Sequence, residues 1–434
     1  MPSAGIRKGI SSAIIVLVIV GVLVAGGITY QKYNELKNSS NQNYPQNVPS
    51  NVENKNPSPY TQPNAAQENR YYTGPSGCTG KGTINFTSSP RKLEDIEMIL
   101  PLGMMSSEHI TPTDHQYYYI HNWKPNPQPS DLRDVLAPAD GVITSVQRMP
   151  SWTFYSKQGL EDYRMEIYHT CTFYTVYIHL LKISDKIKNA AGDLTQSQNV
   201  PVNIPVKAGE VLGGATSLDF STHNSDVTLK GFVVSQHYNG EPWKIHTVDP
   251  FDYFTEPIRS QLLAKTERTA QPYGGKIDYD IEGKLVGNWF VENSGGYSGT
   301  TSGQYNYWSN HVAITYDAID PSHIIFSTGT FTTKGGGQQF GIKGNSPDPT
   351  TIDKNSGLIK LELVPYDYKS GGTGMNWDRF TYASNLKAVN NDNQVKGVVL
   401  LQLTEDRKLK LEVFPGKIAS EVTGFTNAAM IYER

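Results

Sequence analysis

The stretch from Met165 to Ile183, "MEIYHTCTFYTVYIHLLKI", reads as two strands meeting at a short polar turn. Aromatic and β-branched residues fill both runs, which suits a pleated, half-buried surface. In the second run Phe173, Thr175, Tyr177 and His179 alternate with Tyr174, Val176, Ile178 and Leu180. Successive side chains of a strand point to opposite faces. The alternation therefore predicts one face bearing His179 and Tyr177, the more polar and aromatic of the two and suited to a cleft. A histidine merely hydrogen-bonded on an aromatic face fits the same pattern.

Similar runs lie on both sides. "GVITSVQ" and "DVTLKGFVVSQ" are strand-like, and "APADG" and "KAGE" are turn signals between them. "TEPIRSQLLAKTERT" (255–269) predicts a short helix or connector. A second β-rich region then extends to the end through "HVAITYD", "HIIFSTGTF", "GLIKLELVPY" and "KGVVLLQLTEDRKLKLEVF". In the last run Glu405-Asp406-Arg407 predicts a hairpin turn, with Leu409, Leu411 and Val413 facing one way. "GNW" (287–289) is similar to the G-x-W of lipocalin-type barrels. The expectation for this region is a β-sandwich or barrel.

The chain has 434 residues, enough for two or three domains. Lys plus Arg number 38 and Asp plus Glu 41, a net charge of −3. That balance offers no basic footprint for nucleic acid. At the N-terminus Arg7 and Lys8 precede an uncharged, largely apolar run from Gly9 to Tyr30. About twenty apolar residues span a bilayer core as a helix. Positive charge before the run keeps that end in the cytoplasm. The expectation is a single-pass cell-membrane protein, anchored through residues 1–30, with its C-terminal part extracytoplasmic. A cleaved signal peptide is the alternative. "RKGIS" also resembles the class III signal of archaeal type IV pilins. Residues 31–77 are rich in Asn, Gln, Pro and Ser and poor in large aliphatics, which predicts a disordered stalk. Folded patterning begins at Cys78, with expected β domains at 78–265 and 270–434. The two cysteines, Cys78 and Cys171, form a disulfide in an oxidising compartment or stand as independent thiols.

"HITPTDH" (109–115) places two imidazoles and a carboxylate together, just before "QYYYI". It is either half of a metal site or a polar turn leading into an aromatic strand.

Four stretches in order carry a family resemblance. "VLAPADGVITSV" (135–146) looks like the V-x-A-x-x-x-G-V-V entry of the LytM or lysostaphin-type zinc endopeptidases. "MEIYHTCTFYTVYIHLLKI" resembles their hairpin ending in Y-x-H-L, with His179 at the histidine. "NIPVKAGEVLGGATS" is similar to their V-K-x-G-x-x-I-G turn. "SLDF" (217–220) falls where they carry H-L-H-F. The resemblance covers roughly residues 100–255, and related biotinyl and lipoyl barrels share two of its pieces. It implies an antiparallel β domain with His115 at the first metal histidine, His179 at the catalytic Y-x-H-L histidine, and Ser217 where the first histidine of H-x-H assists catalysis. The family's aspartate position holds Tyr119, and its H-x-H reads Ser217-Leu218-Asp219. Asp219 replaces one ligand with another, and Asp114 or His109 is the candidate third.

A catalytic zinc needs three protein ligands and an open position, and two of the five functional positions depart. The reading favoured by those departures is a pseudoenzyme. It binds an envelope polysaccharide, peptide or protein partner in a groove lined by Tyr117, Tyr119 and Tyr177. The runner-up is an active zinc metallopeptidase, a cell-envelope hydrolase with a rearranged site. A pilus-like structural subunit is the third.

Overall fold

The computed structural model describes residues 74–149, 153–196, 198–299, 308–332, 337–371 and 373–434. The expected membrane anchor, the pilin-like segment and the stalk up to residue 73 lie outside the described residues. Among the described residues no helix is long and apolar enough to cross a membrane.

The fold is mainly β. Its first half contains strands β1 (Ile96–Leu100), β2 (Gln116–Ile120), β3 (Arg133–Leu136), β4 (Gly141–Arg148), β5 (Tyr163–Tyr168), β6 (Phe173–Leu180), β7 (Lys182–Ile183), β8 (Asn199–Val206), β9 (Val211–Ala215), β10 (Ser217–Asn224) and β11 (Thr247–Val248). A large antiparallel sheet runs β1-β2-β10-β6-β5-β4-β8, with β11 against β10; a small one runs β3-β9-β7. One apolar core joins them: Ile143, Met165, Ile167, Tyr177 and Phe220 from the large sheet meet Val135, Ile183, Leu212 and Ala215 from the small one.

The two turn motifs of the sequence touch each other. Asp140 of "APADG" accepts from the Ala208 backbone N–H at 3.0 Å and from Lys207 Nζ at 2.7 Å. Gly209 of "KAGE" takes φ +78°, which a side chain resists. Farther along, a Cβ on Gly213 would lie 2.0 Å from the Lys182 carbonyl, so only glycine lets β7 and β9 pair this closely. Cys78 and Cys171 are disulfide-bonded across 93 positions, and the bond pins the start of the folded region to the β5–β6 hairpin. The expected short helix is Ile258–Leu263.

The second half settles the choice between sandwich and barrel. Strands β12 (Gly287–Val291), β13 (His311–Tyr316), β14 (Ile324–Thr328), β15 (Gln338–Ile342), β16 (Ile359–Val364), β19 (Gly397–Glu405), β20 (Lys408–Pro415) and β21 (Met430–Glu433) close into an eight-stranded antiparallel barrel. A hairpin of β17 (Tyr366–Ser370) and β18 (Leu386–Asn390) is inserted between β16 and β19. An eight-stranded barrel is just wide enough for side chains to fill. Here Trp289, Val312, Ile314, Phe326, Leu363, Val399, Leu409 and Leu411 fill it. Glu405 pairs with Lys408, so the predicted turn sits at Asp406-Arg407.

Trp289 of "GNW" is fully buried and donates from Nε1 to the Leu285 carbonyl at 2.8 Å. The Arg434 guanidinium lies over its ring, 4.1 Å from the centroid, and donates to the carbonyls of Val286, Ile281 and Lys284. The inserted hairpin packs against the first half: Met98 and Leu100 of β1 share an apolar cluster with Tyr368, Trp377 and Leu386.

Candidate functional site

The candidate residues gather on the face of the large sheet away from its core, where β2, β10 and β6 lie side by side. Asp219 on β10 is the register partner of Tyr117 on one flank and of Ile178 on the other. His115 precedes β2 and reaches the same point, its Nε2 3.3 Å from Asp219 Oδ2. His179 arrives from β6 with its Nε2 3.6 Å from the same oxygen. Two imidazoles and a carboxylate distant in sequence therefore converge.

His179 reaches this face by breaking the alternation read from the sequence. Tyr163 pairs with Leu180 but Met165 pairs with Tyr177, so Ile178 and His179 together oppose the single residue Arg164. This is a β-bulge, and bulges re-aim side chains. His179 takes φ +66° there, a left-handed conformation. Such a position in a non-glycine residue costs on the order of 1–3 kcal/mol. In a regular strand His179 would share the face of Tyr177, which is the core face. Tyr177 is fully buried against Phe220 and donates its hydroxyl to the Leu136 carbonyl. The expectation that Tyr177 lines a groove beside His179 is corrected: Tyr177 is core, and the bulge sends His179 to the opposite side.

Each imidazole is held by a carboxylate at Nδ1. Asp114 Oδ1 lies 3.0 Å from His115 Nδ1, and its other oxygen accepts from Trp243 Nε1 at 3.0 Å. Asp162 Oδ2 lies 2.9 Å from His179 Nδ1. The far side of His115 meets the Tyr117 hydroxyl at 3.0 Å. His109 packs its ring edge-on to His115 with centroids 5.5 Å apart.

"HITPTDH" is thus a buttress. It folds under His115 and is itself pinned by Lys244, which donates to the Pro112 carbonyl at 2.8 Å. Asp114 orients a histidine, and both of its oxygens are engaged.

The electrostatics divide the cluster. Burial works against a charge on His179, yet the carboxylates of Asp162 and Asp219 outweigh it and lift the imidazole to about 10. His179 is 36% exposed, so water screens part of this effect; the direction, an imidazolium at neutral pH, follows from two carboxylates within 4 Å. The stability this contributes is full below about 6.5 and is lost as pH climbs toward 10. Burial raises Asp219, against the pull of His115 and His179. Asp114 stays low despite its burial, because Lys244 and His115 favour its charge. Burial pushes His109 down to about 3, so it is neutral. The phenols of Tyr117 and Tyr119 are raised by burial and then by Asp219. Tyr155 goes to about 12 through burial, then Asp162 and Asp219. All three are neutral hydroxyls.

The resemblance implies a zinc ion held by His115, Asp219 and either Asp114 or His109. Among the described residues no group of three or more His, Cys, Asp and Glu side chains is arranged to hold a metal ion. The physical reasons are local. Asp114 is turned to His115 Nδ1, His109 packs edge-on against the ring of His115, and the place of the aspartate implied by the resemblance is filled by Tyr119, the register partner of Ser217. A protonated phenol does not replace a carboxylate ligand. The set named from the sequence does not assemble as three ligands around one point.

Sequence reasoning missed Asp162, Tyr155 and Trp243. Asp162 stands in "GLEDYRM" with nothing to mark it, because its partnership with His179 exists only through the bulge. Trp243 lies 129 positions from Asp114.

No family model matches the chain, and no curated protein matches it. Among solved structures it is similar to a chain of the SpoIIQ–SpoIIIAH pore-forming complex. The identity is 13%, over 41% of this chain and 96% of that chain, with a TM-score of 0.25. At that score the likeness carries no weight for fold or function.

Proposed function

We propose that the chain is a membrane-anchored extracytoplasmic protein. Its first β region is a non-hydrolytic, LytM-like module that binds an envelope polymer or a peptide of a partner protein. The observation that carries this reading is the pair Tyr119 and Ser217. They stand in register at the place where the zinc endopeptidases carry an aspartate ligand and an assisting histidine. With a neutral phenol and a hydroxyl there, the cleft has hydrogen-bonding groups but neither a carboxylate ligand at the first place nor an imidazole at the second to move a proton. Only a metal brings the pKa of an attacking water near 7. What is left is recognition: the His179 imidazolium, the neutral hydroxyls of Tyr117, Tyr119 and Tyr155, and the Asp219 carboxylate.

The test uses the purified full chain, insoluble envelope polymer and elemental analysis. The expected result is co-sedimentation without release of soluble fragments. Tyr119→Ala should weaken that binding about fivefold, the loss of one aromatic contact worth about 1 kcal/mol. Stoichiometric zinc that disappears in His115→Ala, together with fragment release, would overturn the reading in favour of a zinc hydrolase.

A further inference from the structure

We infer that Asp162, which belongs to no motif of the chain, is the positioning residue of the cleft: it holds His179 so that its Nε2–H is presented to an uncharged carbonyl oxygen of the ligand. Three observations meet at this pair. Asp162 is buried and gives one oxygen to His179 Nδ1 at 2.9 Å. Among the described residues its other oxygen, Oδ1, is buried without a hydrogen-bond partner, so the side-chain bond this carboxylate makes is the one to the imidazole. His179 sits at the bulge with φ +66°, in a conformation a regular strand would not adopt. A backbone strained to place a side chain, together with a buried carboxylate committed to that side chain, is the arrangement of a built site.

The geometry also states what the pair offers. Once Asp162 holds Nδ1, the remaining donor is Nε2–H. Asp219 Oδ2 lies 3.6 Å from it, outside hydrogen-bond distance. His179 is 36% exposed against 7% for Asp219 and 10% for His115, so an incoming ligand meets His179 first. The groups facing it are Asp162 ahead of β5, Arg164 on β5 opposite the bulge, Asp219 on β10, His115 and His109 before β2, and Tyr155. Arg164 is paired with Glu166 at 2.8 Å. Two carboxyl groups, those of Asp162 and Asp219, stand within 4 Å of this one imidazole. A ligand carboxylate is repelled there, and an amide carbonyl accepts the hydrogen bond without that penalty. The amide is that of a peptide bond or of an N-acetyl group on a sugar. The ligand half of the inference rests on the binding reading above; the Asp162–His179 pair does not.

The experiment is an NMR titration of the full chain with histidine ring labels, His179 being identified by the signal lost in His179→Gln. His179 should remain protonated through pH 8. Asp162→Asn should lower its midpoint by at least two pH units, and Asp162→Glu should restore it. Asp114→Asn, which touches His115 instead, should leave it in place. If Asp162→Asn does not fold, the wild-type midpoint and the Asp162→Glu titration decide. A His179 midpoint near 6.5 in the wild type, or one indifferent to Asp162→Asn, overturns the inference. A second arm adds a capped uncharged dipeptide, an N-acetylglucosamine oligomer or acetate. A shift of the His179 Nε2 signal with either amide probe and not with acetate supports the ligand class and tells peptide from sugar. An equal shift with acetate, or none with either amide, overturns it. Failure of the full chain to bind envelope polymer, with the titration as expected, refutes the proposed function and leaves the Asp162–His179 pair standing.

Discussion

The barrel and the cleft are built from the same kinds of strand and obey different rules. In β20 of the barrel, Leu409 and Leu411 point inward between outward lysines, and the alternation holds along the strand. In β6 it holds from Phe173 to Tyr177 and then fails at the bulge. The barrel interior is filled by apolar side chains, and the Arg434 guanidinium caps Trp289 by cation–π contact and carbonyl bonds. The cleft crowds Asp114, Asp162 and Asp219 around two imidazoles. Burying carboxylates this way lowers stability unless each is paired. The contrast teaches that the barrel interior excludes charge and backbone strain while the cleft concentrates both, which fits the recognition role proposed for it.

The largest effect expected from that contrast is in the barrel. Trp289→Ala opens the centre of a filled interior and removes the surface that Arg434 covers, a loss of about 5 kcal/mol. Denaturant unfolding measures it, and a loss under 1 kcal/mol would show that the barrel interior is not close-packed. Next is the tether of the first half. Replacing Cys78 and Cys171 together by serine should lower stability by about 4 kcal/mol, because a crosslink across 93 positions restricts the unfolded chain. The same measurement under reducing conditions should then find the variant and the wild type equal. The smallest effect has the opposite sign. The carboxyl of Asp219 is raised by burial, so its contribution is full below the ordinary 3.8 and is lost as pH rises through the folded value. Asp219→Asn should therefore stabilise the protein at pH 7 and leave it unchanged at pH 3, which denaturant unfolding at the two pH values measures. A destabilised Asp219→Asn at pH 7 would erase the distinction between the two regions.

Much of the fold was legible. The hairpin at Asp406-Arg407, the inward Leu409 and Leu411, and the helix inside residues 255–269 follow from local pattern and turn chemistry. The motif turns at Asp140 and Gly209 were legible as turns, though not as partners. The site was legible in part: His115, His179 and Asp219 do meet. The role of Asp114, the core position of Tyr177 and the existence of Asp162 were not. Each depends on a one-residue register shift or on a contact between distant segments, and periodicity contains neither.

By itself the sequence determined the β character of the chain, the place of many of its strands and turns, though not that "DVTLKGFVVSQ" forms no strand, and three of the groups that meet at the site, His115, His179 and Asp219. These follow from side-chain size, polarity and period, which act over a few residues. Only the tertiary structure decided that the second half closes into a barrel, that Cys78 finds Cys171, and that His179 leaves the core face to meet Asp162 and Asp219. Strand pairing and bulges are settled by packing among segments far apart in the chain, and a side chain's neighbours exist only once that packing has formed.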